Sequence, residues 1–354
     1  MHTRLSLSVV LTVLASGLAA QGFLVTPSHY ATWEGTTASS LPFSGTAFPV
    51  RFQQIHTEPS GAPTLMRWLA FRRDARGPDA RFASRQVDLD LWMGHGSHAG
   101  ASNSFSANYL STPQNVFLRK VVSTPDWSGL PRVSPAPFEL ALPLDTPFLH
   151  DGARDFVWEA NVFGASGTGT IVLLDAVSSG MNIVIPANYE LQGIGCTVNG
   201  SEMLLRSGAS LQAFPVNGWI YDWAATACPP SSPTVLLVGA LNPSLPLPGL
   251  CTNVHVLPLV DVPGMSDAAG AFDPLPNTSP LPRSSYFAGM VGARLEAQVA
   301  AIDSSGVPRL VASNGCSTIL PPWTPVVGIA RLYQTPTTSP TLSTISGVPV
   351  AIGY

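Results

Sequence analysis

"QVDLDLWM" (residues 86–93) decides the fold. In an extended chain Val87, Leu89 and Leu91 fall on one side, and Asp88, Asp90 and Trp92 on the other. A period of two with one apolar face marks a strand that buries a single face. Short runs rich in β-branched and aromatic residues recur on either side. They are "FPVRFQQIH" (48–56), "LMRWLAFRR" (65–73), "QNVFLRKVV" (114–122), "FELALPL" (138–144), "DFVWEANVF" (155–163) and "GTIVLLDAV" (169–177). Among 354 residues, 34 prolines and 31 glycines interrupt the chain every few positions and leave little room for a long helix. The expectation is an all-β protein of two β-sandwich or jelly-roll-like domains with very little helix.

A second set of strand-like runs begins near residue 188: "GIGCTV" (193–198), "TVLLVGAL" (234–241), "NVHVLPLV" (253–260) and "RLVASNG" (309–315). "ARLEAQVAAID" (293–303) contains good helix formers, but its alternation of Leu295, Ala297, Val299 and Ala301 with polar neighbours reads as a strand. One short helical turn is expected within "LPRSSYFAGM" (281–290). The chain therefore divides into a signal peptide at 1–20, an N-terminal sandwich at 21–187, a disulfide-bearing sandwich at 188–320 and a β tail at 321–354 that packs on one of the two.

Arg4 followed by the apolar run "LSLSVVLTVLASGLAA" (5–20), ending in small residues, has the form of a secretory leader. No later run is long enough for a span, so no membrane segment is expected after cleavage. The protein is expected to be secreted, extracellular or at the cell surface, with the periplasm as a further possibility. Charge is sparse at 11%, lysine occurs once, at Lys120, and the formal net charge is −4, so nucleic acid is not an expected partner. In an exported chain the four cysteines, Cys196, Cys228, Cys251 and Cys316, favour disulfides, with three pairings open. A Cys196–Cys251 bridge would contribute about 4 kcal/mol in the chain-entropy account.

Chemistry-bearing residues are few. "GHGSHAG" (94–100) places His95 and His98 three apart, and Asp88, Asp90, His150 and Asp151 are the acids and imidazole that a metal would need beside them. His95, His98 and Asp90 are the metal candidates, but the preferred reading is a solvated glycine-rich loop with no metal and no cofactor. Ser97 does not make a nucleophile elbow, because His95 and Ala99 occupy the glycine positions. No catalytic residue is assigned. "GASGTGT" (164–170) reads as a hairpin connection, and "HDGARD" (150–155) as an Asp-Gly turn without calcium-loop spacing. Of eight tryptophans, Trp92 is the best candidate for an exposed, ligand-binding ring, the others being expected in cores or interfaces.

Three segments, "RWLAFRRD" (67–74), "DLDLWMGHGSHAGASNSFSANYLSTPQNVF" (88–117) and "PFELALPLDTPFLHDGARDFVWEANVF" (137–163), together resemble a β-rich module of exported bacterial proteins of unknown function. Its marks here are Phe105, Ser106, Ala107 and Asn108 in a loop, and Thr146, Pro147 and Phe148 at a later turn. The second half resembles a C-terminal β-domain of bacterial secreted proteins through Gly193, Gly195 and Cys196, Gly249 and Cys251, Gly292 and Gln298, and Ser313 to Gly315. The resemblance implies a jelly-roll-like fold and export, and assigns no active site. The function expected is a non-enzymatic cell-surface or extracellular structural or binding protein that engages a glycan or another surface component. The alternatives are a carbohydrate-binding module, and a metal-dependent hydrolase using His95 and His98.

Overall fold

The computed structural model describes residues 22–44, 47–57, 61–75, 83–128, 133–166, 172–178, 184–206, 210–212, 218–274, 283–285, 288–322 and 328–354. The signal-peptide expectation falls on residues 1–20, outside them, as does Trp323. The first half supplies seven main strands: β1 (Phe23–Thr26), β2 (Val50–His56), β3 (Thr64–Phe71), β4 (Gln86–Gly96), β5 (Gln114–Ser123), β6 (Leu140–His150) and β7 (Asp155–Ala165). The second supplies β8 (Asn188–Gln192), β9 (Pro233–Gly239), β10 (Pro258–Met265), β11 (Arg294–Asp303) and β12 (Gly315–Ile319). Two more strands follow, β13 (Ile329–Gln334) and β14 (Val350–Gly353). The described residues hold no α-helix, only three single-turn 3-10 helices, one of them Ala288–Met290 where a short turn is expected.

The decisive stretch behaves as its pattern dictates. Val87, Leu89, Leu91 and Met93 are fully buried, while Asp88, Asp90 and Trp92 are half-buried on the other face. A six-stranded antiparallel sheet runs Thr341–Ser343, β13, β2, β7, β4, β5. A four-stranded sheet, β1-β14-β3-β6, packs over it. One core joins the two: Phe52, Leu91, Phe156 and Trp158 from the larger sheet, and Met66, Phe71, Leu142 and Ile352 from the smaller. At about 25 cal/mol per Å² of apolar area buried, this shared core is the main stabilising term.

The tail is an integral layer of this first sandwich. β13 pairs with β2 from Ile329↔His56 to Gln334↔Arg51, and β14 lies between β1 and β3. The second half forms its own sheet, β8-β12-β11-β9-β10, with Arg309–Ala312 paired beside β11. Its core, with Met203, Leu236, Phe272 and Val299, shares no residue with the first.

Two expectations are corrected. Leu174–Ser178 does not form a hairpin with β7; it pairs with Thr37–Ser39 and Ser346–Gly347, because both edges of β7 are already taken by β2 and β4. And among the four cysteines only Cys196 and Cys251 form a bridge, with Cα atoms 5.3 Å apart, whereas Cys228 and Cys316 are buried and stand outside any disulfide. Cys316 is fixed inside a strand opposite Leu191 and Ala297, and the Cys228 N–H is tied to the Gly270 carbonyl at 2.9 Å, so strand register and turn bonding set both positions.

Candidate functional site

Period two along β4 separates the residues that the sequence brings together. His95 shares its parity with the core residues Leu91 and Met93, and Asp90 faces outward. Asp90 instead accepts the Trp92 indole N–H at 3.1 Å and the Asn161 amide at 2.8 Å. Strand facing therefore does not bring Asp90 together with His95. Nor is "GHGSHAG" simply a free loop: Gly94, His95 and Gly96 remain in the β4–β7 ladder opposite Val157, Phe156 and Asp155. Glycine is needed at two of these positions, since a Cβ on Gly94 would lie 2.6 Å from the Tyr109 ring and one on Gly96 2.4 Å from Val157 Cγ2.

At the inner end of the sheets His95 meets residues from the β6–β7 hairpin. Its Nε2 lies 3.7 Å from Asp151 Oδ1, and its ring centroid is 5.3 Å from that of His150. One ligand atom from each of these three residues falls within a common 4.8 Å. Phe148 and Phe156 wall the cluster, with ring centroids 5.3 Å from His95 and 6.0 Å from His150 respectively. Desolvation, followed by the nearby Arg154 charge, lowers the His95 pKa. Although desolvation opposes it, hydrogen bonds from the Arg154 side chain and the turn backbone hold Asp151 well below the usual carboxylate range. His98 goes elsewhere: its backbone N–H donates to Asp155 Oδ2 at 2.6 Å, and its buried Nε2 has no hydrogen-bond partner. Below the cluster, His56 is fully buried and accepts the Trp158 indole N–H at 3.0 Å; burial pushes its pKa down to about 3.

The outward face of the six-stranded sheet is a second, chemically different surface. Trp92, Asp90, Asn161 and Phe163 lie there half-buried, with the more exposed Arg51 and Arg119 on either side. Arg119 stacks over the Phe163 ring at 3.8 Å and pairs with Asp88 at 2.7 Å. A groove of about 330 Å³ opens beside them, lined by Arg51, Asn161, Phe163, Gln334 and Pro336 among others. The loop holding Phe105 to Asn108 covers the other end of this face. Asn108 donates to Gln53 at 2.8 Å, Gln53 donates to the Phe105 carbonyl at 3.1 Å and to Glu159 at 2.9 Å, and Arg51 and Tyr109 also donate to Glu159. The loop motif thus serves as a clamp. Of the tryptophans, Trp127, Trp158, Trp219 and Trp223 are buried, whereas Trp33, Trp68 and Trp92 are partly exposed.

Sequence reading misses a third cluster. Glu34, Asp74 and Asp175 converge in the interior, where Arg72 donates to Asp175 at 2.7 Å and to the Trp33 carbonyl at 2.5 Å. Glu34 accepts from the Ala75 N–H at 2.9 Å and the Ser134 hydroxyl at 2.9 Å, and its own N–H donates to Asn188 of β8. Buried Arg72 supplies the cation here, so this network ties the first sandwich to the start of the second half. No local pattern announces it, because its members lie up to 154 residues apart. Comparison with protein-family models, curated proteins and solved structures gives no match.

Proposed function

We propose that this chain is an exported, non-enzymatic binding protein that holds a glycan of the cell surface or matrix against the outer face of its six-stranded sheet. The observation that carries this reading is the row of half-buried rings and amides there: Trp92 and Phe163 flanking Asp90 and Asn161, next to the groove at Arg51. A flat indole offers its face to the C–H side of a sugar ring, while carboxylate and amide groups hydrogen-bond hydroxyls. The Asp90 bonds to Trp92 and Asn161 fix the ring and the amide before a ligand arrives, which lowers the ordering cost of binding. The export part rests on the leader-like segment and on the resemblance to exported bacterial β-rich proteins. Titration of Trp fluorescence with a panel of soluble oligosaccharides tests the reading. Saturable quenching that Trp92→Ala abolishes, with the fold intact by circular dichroism, is expected. No glycan response, together with hydrolytic turnover that a single His or acidic substitution abolishes, overturns it.

A further inference from the structure

We propose that the end of the sandwich between β4 and the β6–β7 hairpin binds one divalent transition-metal ion, zinc foremost, through His95 Nε2, His150 Nδ1 and Asp151 Oδ1. The three residues come from two strands and one turn, and one possible ligand atom from each lies within 4.8 Å of those of the other two. Ligand atoms around a tetrahedral zinc are about 3.3 Å apart, given bonds of about 2.0–2.1 Å. The 3.7 Å between His95 Nε2 and Asp151 Oδ1 is thus within a few tenths of an ångström of that geometry.

The groups behind the ligands are set for the same role. His150 Nε2 faces the Arg154 carbonyl at 2.8 Å, so it carries the proton and Nδ1 carries the lone pair. A metal-bound imidazole characteristically donates its other N–H to such an acceptor. Asp151 Oδ2 is held by the Arg154 guanidinium at 2.5 Å, which turns Oδ1 toward His95. Without a metal, backbone amides fill the ligands' lone pairs. The Asp151 N–H reaches His95 Nε2 at 3.3 Å, and the Gly152 N–H reaches His150 Nδ1 at 3.0 Å. The Ala153 and Arg154 N–H groups reach Asp151 Oδ1 at 3.0 and 3.1 Å. A metal ion takes the place of the two amide–imidazole bonds; the turn bonds to Oδ1 can remain, because a carboxylate oxygen keeps a further lone pair.

Two imidazoles and one carboxylate suit zinc, copper or nickel better than calcium or magnesium, which prefer all-oxygen shells. The side chains of His95 and Asp151 are 11% and 35% exposed, so an ion can enter and a solvent molecule can complete the shell.

The full chain, without a histidine tag and stripped with EDTA, is titrated with zinc chloride by calorimetry. Cobalt substitution then reports coordination through its visible d–d absorption. One equivalent of zinc and a tetrahedral cobalt spectrum are expected. His95→Gln and Asp151→Asn should each lose stoichiometric binding while remaining folded without metal, as circular dichroism reads. Because His150 is fully buried, its substitution is not needed for the test. His98→Gln should bind zinc as the parent does. Absence of binding in the parent, or equal binding in His95→Gln, overturns the proposal.

Discussion

Glu159 is 3% exposed, and its carboxylate accepts from Arg51, Gln53 and Tyr109, so three partners from β2 and the loop after β4 depend on one acid. Removing an acceptor leaves buried donors unpaired, which costs more than the hydrogen bonds themselves contribute. Glu159→Ala should therefore lower stability by about 1–3 kcal/mol, seen as a lower urea midpoint at unchanged slope. Amide exchange should quicken first in residues 98–113, which the clamp holds down. The cysteines make a separate residue-scale prediction. Burial pushes the Cys228 thiol up to about 11, and Cys316 is fully buried, so a reagent reaches neither in the native protein. A thiol-reactive dye added without reductant should label no cysteine in the native protein and two after denaturation, Cys228 and Cys316. Four labelled thiols in denaturant would show that the Cys196–Cys251 bridge is absent.

β14 shows what an element contributes that its sequence does not announce. Ala351 and Ile352 are fully buried, with Ile352 between Leu24 of β1 and Leu69 of β3. Truncation after residue 328 removes both β13 and β14. It exposes the unpaired edges of β1, β2 and β3 and takes Val350 and Ile352 out of the core. Unpaired edges invite association between chains. The truncated protein should lose cooperative unfolding and aggregate, read by a melting transition and by light scattering; a soluble, cooperatively melting product would contradict this account. The strands themselves are legible because period two is a local property, as in Val87 to Met93. Partner choice is not local: "VPVAIGY" reads equally as an edge of either sheet, and only the finished layers place it beside Phe23–Thr26. The same limit governs the site. His150 and Asp151 stand among the plausible partners of His95 in the sequence, but so do Asp88 and Asp90, and only the facing of β4 separates them.

At the scale of the whole molecule, buried ionisable groups stand at both ends of the pH range. His56, fully buried, has its pKa pushed down by desolvation to about 3, and His95 is lowered in the same direction. A depressed imidazole binds its proton more readily in the unfolded chain, so folding loses stability as pH falls below about 6.5 and the loss saturates near the folded value. For His56 alone the shift corresponds to on the order of several kcal/mol at the acid limit. Glu34 acts on the opposite side: burial first, then the Asp175 charge, raise its pKa to about 8. A raised carboxyl favours the folded state while protonated, and that advantage fades as pH rises from the unfolded value through about 8. Melting temperature should therefore peak in the mildly acidic to neutral range and fall on both sides. Glu34→Gln keeps an acceptor for the Ala75 N–H and cannot ionise, so it should flatten the alkaline limb alone. His56→Gln keeps an amide oxygen to accept from Trp158 and should flatten the acid limb alone, leaving the contribution of the surface carboxylates. Because His56 bonds to Trp158 of the first core and Glu34 bonds to Asn188 of β8, the two limbs report different events. Acid should open the sandwich itself, whereas alkali should first loosen its attachment to the second half. Amide exchange at pH 9 that quickened in Phe52 and Trp158 before Asn188 and Tyr189 would reverse that order and refute the assignment.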